Sequence, residues 1–119
     1  MKRMMLVAAV AAMHASAALG QDATVTRNLA KKFGEAVAAD VLCDRLELNS
    51  TRLALYALAL GFTGDDLKAG SGSLAILIDA EARIARNGMA GKSEESVCAA
   101  GEFLYGENGA NAKGLLVRR

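Results

Sequence analysis

Residues 1–20 decide how much of this 119-residue chain is left to fold. Lys2 and Arg3 precede an apolar run from Met4 to Met13. The small residues Ala15-Ser16-Ala17-Ala18-Leu19-Gly20 follow, and polar sequence begins at Gln21. A basic n-region, a short apolar h-region and an A-x-A-like zone predict a cleaved secretory signal peptide. The cut is expected after Ala17 or after Gly20. The competing reading is an uncleaved anchor, but the apolar run is about ten residues where a spanning helix needs about twenty. No cysteine stands near either cut, which argues against lipid attachment, and no later segment is apolar for long enough to span a bilayer.

One domain is expected over residues 21–119, on the scale of a single hydrophobic core. An exported chain meets an oxidising compartment, so its two cysteines, Cys43 and Cys98, are expected to pair with each other; burial as free thiols is the alternative. The full chain carries 14 Lys and Arg against 13 Asp and Glu. With Lys2 and Arg3 removed the domain is nearly neutral. That balance gives no electrostatic case for nucleic acid or for an anionic membrane surface. The apolar residues are mainly Ala, Leu and Val, with no Pro and no Trp, a composition that favours helix.

The periodicity predicts an all-α bundle of about five helices, two of them short, closed by the Cys43–Cys98 bond. The first helix is expected from an Asp22 N-cap to about Cys43. Val25, Leu29, Phe33, Val37 and Val41 recur every four residues and read as one apolar stripe. Gly34 inside it costs about 1 kcal/mol relative to Ala unless something packs closely there. Leu46 to Thr51 reads as a junction, with Asn49 or Ser50 as a cap. Thr51 to Leu60 is apolar nearly all round, which predicts a central, buried helix ended by Gly61. Phe62 is expected to pack back.

Thr63-Gly64-Asp65-Asp66 fits a capping box and predicts a short helix to about Ala69. Gly70-Ser71-Gly72-Ser73 is a break, with Ser73 as the next cap. Leu74, Leu77, Ile78, Ala82 and Ile84 or Ala85 then keep helical spacing up to a stop at Asn87-Gly88. Ser93 caps a further helix whose inner face is Val97, Gly101, Leu104 and Tyr105, with Cys98 at its edge and Gly106 at its end. A last helix is expected over Ala110 to Val117. No alternating strand signal is present.

Three segments carry a family resemblance: Ala57-Leu58-Ala59-Leu60-Gly61-Phe62-Thr63-Gly64-Asp65-Asp66-Leu67, Ser96-Val97-Cys98-Ala99-Ala100-Gly101 and Lys113-Gly114-Leu115-Leu116-Val117-Arg118. With Cys43 upstream, residues 35–119 resemble a family of small exported bacterial proteins of unknown function. Its pattern is a Cys ending the first helix, a Leu-Gly-Tyr/Phe-Thr turn, a Cys-x-x-Gly helix start and a Gly-Leu-Leu-Arg-like tail. This chain differs in its Gly70–Ser73 break and in an extra Val117 in the tail. Some members are associated with respiratory-chain gene clusters, which implies an accessory role on the exported side. The family carries no known catalytic residue, so the resemblance transfers none.

Several motifs have a chemical reading and a plainer one. Gly70-x-Gly72-x-x-Ala75 matches a dinucleotide fingerprint, but that chemistry needs a preceding strand and a βαβ unit, so a linker is expected. Asp65-Asp66 and Glu94-Glu95 lack the alternating oxygen spacing of a calcium loop and read as helix-start acids. Asn49-Ser50-Thr51 is a glycosylation sequon that reads better as a cap. Glu47, Glu102 and Glu107 could serve as general acids or bases but read as solvated. Tyr56, Phe62, Phe103 and Tyr105 could line a ligand groove but read as core. The small residues of Thr51–Leu60 would let a partner helix approach, though a crowded core explains them first.

The only histidine, His14, lies in the expected leader, so the mature chain has no imidazole to serve a Ser or Cys nucleophile. No catalytic residue, no metal ligand and no cofactor are expected. The sequence predicts a non-enzymatic exported accessory or interaction protein, periplasmic or secreted, with protein partners. The alternative is a periplasmic acid-stress chaperone.

Overall fold

The computed structural model describes residues 23–119. The expected signal peptide, His14 and the Asp22 cap lie outside them. The elements run α1 (Ala23–Leu42), β1 (Leu46–Leu48), α2 (Ser50–Ala59), a 3-10 turn (Asp65–Leu67), α3 (Ser73–Met89), α4 (Glu94–Tyr105) and β2 (Leu116–Arg118).

The central helix is α1. It packs along α3 and is also covered by α4 and β1. Leu29, Ala30, Phe33, Ala36, Ala38 and Ala39 are all buried, so every alanine of the helix but the terminal Ala23 is an interior residue. Leu74, Ile78 and Ala82, one turn apart on α3, form the facing stripe. Gly34 is the close-packing site: a Cβ there would lie 2.6 Å from Glu81 Cβ and 2.7 Å from the Ala82 main-chain nitrogen. The expected five-membered stripe on α1 does not hold at its ends, because Val25 and Val41 are exposed. A repeat of four drifts about 40° per step on a helix of 3.6 residues per turn, so residues 25 and 41 point about 160° apart.

Four expectations are corrected. Helix α2 is peripheral rather than central: only Ala57 is fully buried, while Leu55, Leu58 and the capping Leu60 are exposed. Leu53 and Tyr56, half-buried, dock it on the core. An all-round apolar pattern names no inward face, and the middle of the core is already filled by α1.

The fold is mainly helical but not all-α. Among the described residues, β1 and β2 pair antiparallel in the register Leu46↔Arg118, Glu47↔Val117 and Leu48↔Leu116.

The helix expected over 110–117 is absent. Ala110 N–H bonds Phe103 O, and the Asn111 and Ala112 N–H groups bond Leu104 O. This segment folds back and satisfies the last carbonyls of α4, which a helix end leaves without intrahelical partners. Among the described residues, four α-helices and a single 3-10 turn therefore stand where about five helices were expected. Helix α3 also starts and stops differently. Gly72 is its N-cap, Ser73 lies in the first turn, and the helix continues through Asn87-Gly88 to Met89.

Cys43 and Cys98 form an intrachain disulfide, with a Cα–Cα distance of 5.3 Å. Both residues are buried. The bond fastens the end of α1 to the first half of α4. No helix among the described residues is long and apolar enough to cross a membrane.

Candidate functional site

Ser93 caps α4 through its Oγ, which accepts from Ser96 N–H at 3.2 Å. Inside α4, Val97, Cys98, Gly101 and Tyr105 are buried and Leu104 is half-buried. Phe103 stands two residues from both Gly101 and Tyr105. At 100° per residue it must point away from them. It is 70% exposed, the most exposed large apolar side chain among the described residues.

Phe103 lines an open groove of about 810 Å³. Its lining includes Leu116, Val117 and Arg118 of β2, Glu102 of α4, Gly106, Glu107 and Lys113 of the segment that follows, and Asn49 and Arg52 at the start of α2. Arg118 donates through Nε (3.0 Å) and Nη2 (2.5 Å) to Glu102 Oε1, which ties β2 to α4. Tyr56 donates its hydroxyl hydrogen to Lys113 O at 2.8 Å and holds the turn against α2. Arg52 lies beside Gly114, whose φ of +75° turns the chain toward β2. The side chains of Arg52, Lys113 and Glu107 make no ion pair among the described residues.

The remaining carboxylates act mainly at joints. Asp40 accepts from Leu48 N–H at 2.8 Å and from Arg119 Nη2 at 2.6 Å, while Arg119 Nε donates to Leu46 O at 2.9 Å. Glu94 accepts from Asp44 N–H at 2.9 Å, and Glu95 lies 3.7 Å from Arg45. Asp66 accepts from Thr63 N–H, Ser73 Oγ and Thr63 Oγ1. The main-chain bond from Thr63 is the largest cause holding its carboxyl below the usual aspartate value, followed by the Ser73 hydroxyl. Tyr105, deep in the core, donates to Glu35 Oε1. Burial first, and then that bond, raise its phenol above the ordinary tyrosine value.

Of the residues singled out in the sequence, the groove gathers Glu102, Glu107, Phe103 and the capping Asn49. It does not gather Glu47, which pairs across the ribbon with Val117. Phe62 and Tyr105 are core and Tyr56 is half-buried, so Phe103 is the aromatic that departs from the core reading. Its helical phase relative to Gly101 and Tyr105 was the signal. Asn49 Oδ1 accepts from Arg52 N–H at 3.0 Å, as a cap does. Gly70 and Gly72 follow a 3-10 turn, and the Asp66 carbonyl fills the space beside Gly72. Asp66 and Glu94 serve different joints, and no group of three or more His, Cys, Asp or Glu among the described residues could hold a metal ion.

No protein-family model matches the chain, and no curated protein or solved structure is significantly similar to it. The family resemblance rests on the motifs of the sequence.

Proposed function

We propose that this chain is an exported, non-enzymatic interaction protein, accessory to an envelope or respiratory complex, and that the groove beside β2 is where it docks. The observation that carries the reading is Phe103. An aromatic ring left in water on a rigid helix, beside the exposed Val117, is the kind of anchor from which protein interfaces draw their binding energy. The walls offer a mixture of charges around it, as an interface rim does. The candidate acids suit binding better than chemistry: Glu102 is engaged by Arg118, and Glu107 is exposed.

The test is a photo-crosslinking residue placed at position 103 in the native envelope, with one at Ile84 as a control. The expected result is a reproducible adduct from 103 that the control lacks and that a nearby Val117→Asp change abolishes. Equal labelling from both positions, or no adduct, overturns the reading. Edman or mass analysis of the same material is expected to find an N-terminus at residue 18 or 21.

A second reading, an acid-stress chaperone, is favoured by one observation. Glu35, Asp40, Asp66, Glu94 and Glu102 each accept a hydrogen bond that joins two parts of the fold. Among them the Asp66 carboxyl is held below the usual aspartate value, so the stability that this joint contributes is lost as acid protonates it. The reading expects near-UV circular dichroism to collapse at about pH 2–3, with client aggregation suppressed there. A native spectrum retained at that pH removes it.

A further inference from the structure

The two sulfurs of the crosslink stand in different surroundings. Cys43 directly follows the last residue of α1, and its N–H bonds Ala39 O at 2.8 Å. Its exposure is 0%. The outward-pointing carbonyls of a helix end carry negative partial charge, which disfavours a thiolate there. Cys98 is the fifth residue of α4, just past the turn capped by Ser93. It therefore lies near the positive end of its helix, which favours a thiolate.

Access differs in the same sense. An open cavity of about 580 Å³ adjoins the groove, and Cys98 lines it while Cys43 does not. Only a small part of Cys98, 3% of its surface, is exposed. Arg45, Arg118 and Arg119 line the same cavity, against the carboxylates of Asp44 and Glu102. Cations beside a cysteine stabilise its thiolate and draw anionic reagents toward it.

We propose that thiol–disulfide exchange at this crosslink runs through Cys98, that Cys43 is the resolving sulfur, and that the exchanging partner is a small anionic thiol compound of the glutathione class. On closure, Cys98 gives its proton to water and its thiolate attacks one sulfur of the partner's disulfide. A bond forms between Cys98 Sγ and that sulfur, and the other half of the partner leaves as a thiolate. Cys43 then gives up its proton, and its thiolate attacks Cys98 Sγ. The Cys43–Cys98 bond forms and the second half of the partner leaves as a thiolate. The cysteine pair loses two electrons and the partner's disulfide gains them. Reduction runs the same steps backwards, so the partner's thiolate attacks Cys98 Sγ and Cys43 leaves.

The test compares Cys43→Ala, which leaves Cys98 free, with Cys98→Ala, which leaves Cys43 free, each mixed with glutathione disulfide. In the folded proteins Cys98 is expected to form the mixed disulfide about tenfold or more faster than Cys43. In urea, where both sulfurs are open, the two rates are expected to converge. Near-UV circular dichroism checks the fold of each variant. The unchanged protein gives a measurement that needs no folded variant: brief exposure to reduced glutathione, acid quenching and peptide mapping are expected to place the trapped adduct on Cys98. Changing Arg45 and Arg118 to Gln is expected to erase a preference for glutathione disulfide over the cationic disulfide cystamine. An adduct trapped on Cys43, equal rates in the folded variants, or a ratio that persists in urea overturns the assignment of Cys98. No preference between the two disulfides in the unchanged protein overturns the anionic partner.

Discussion

Tyr105 donates its phenolic hydrogen to the carboxylate of Glu35, joining α4 to α1 across a separation of 70 positions. Asn111 Nδ2 donates to the Tyr105 hydroxyl oxygen at 3.4 Å, so the fold-back after α4 meets this junction as well. Removing the hydroxyl leaves a partly buried carboxylate without its donor. Tyr105→Phe is expected to lose about 1–3 kcal/mol in urea unfolding. The same group shapes the alkaline limit. Its folded value is raised above the ordinary 10.0, so its contribution is complete below pH 10 and is lost as pH climbs from there toward the raised value. The Phe variant is expected to show a flatter fall of stability above pH 10, and an unchanged slope would refute this account.

Asp66 has the opposite sign. Its folded value is lowered from 3.8, so it stabilises above that pH and the contribution disappears as acid titrates the folded carboxyl. Asp66→Asn is expected to reduce the slope of stability against pH below about 4. Midpoints from thermal melts across that range measure it.

Asp40 joins α1, β1 and Arg119 through one carboxylate. Asp40→Ala strands the Leu48 N–H and frees Arg119. A loss of about 2 kcal/mol is expected, with faster amide exchange at Leu48. A variant that exchanges there at the wild-type rate would show that the carboxylate is dispensable.

Gly34→Ala tests which of two effects wins. Helix propensity favours Ala by about 1 kcal/mol. The new Cβ would press on the backbone of α3 at Ala82, and overpacking costs about 1–3 kcal/mol. Clash is expected to prevail, with Tm falling by about 5 °C. A higher Tm would mean that α1 and α3 separate more easily than their packing suggests.

The helices were legible because side chains three and four apart share a face. Leu74, Ile78 and Ala82 marked α3's inner side, although Leu77 and Ile84 of the same expected stripe are exposed, and Asn49 and Ser93 announced two helix starts. The cysteine pair followed from the count of cysteines and the expectation of export. The ribbon was not legible. Leu46-Glu47-Leu48 is three residues long, too short for alternation to stand out, and its partner lies some seventy positions away. Nor could Leu55 and Leu58 announce their exposure, because a helix apolar all round has no phase. The groove inherits the first of these gaps: part of its lining is the strand that was expected to be helix. The sequence reading put Phe103 in the core, although its position between Gly101 and Tyr105 was the signal that it faces outward.

The Cys43–Cys98 bond closes a long loop, and on the chain-entropy account its loss costs about 4 kcal/mol. The double variant Cys43→Ala, Cys98→Ala is expected to unfold at correspondingly lower urea. Because both sulfurs are buried, reductant alone is expected to act slowly on the native protein and quickly once urea is added. Equal rates in the two conditions would contradict the burial.

That crosslink also sets a load path. Tension between the two ends of the polypeptide passes from α1 through the sulfur–sulfur bond into α4 and never enters the span between Cys43 and Cys98. Helices α2 and α3 lie in that sheltered span, whereas β2 and the rest of α4 lie outside it. Pulling would therefore act on α1, the rest of α4 and the groove-lining strand and stop at the bond, leaving the enclosed portion unstretched.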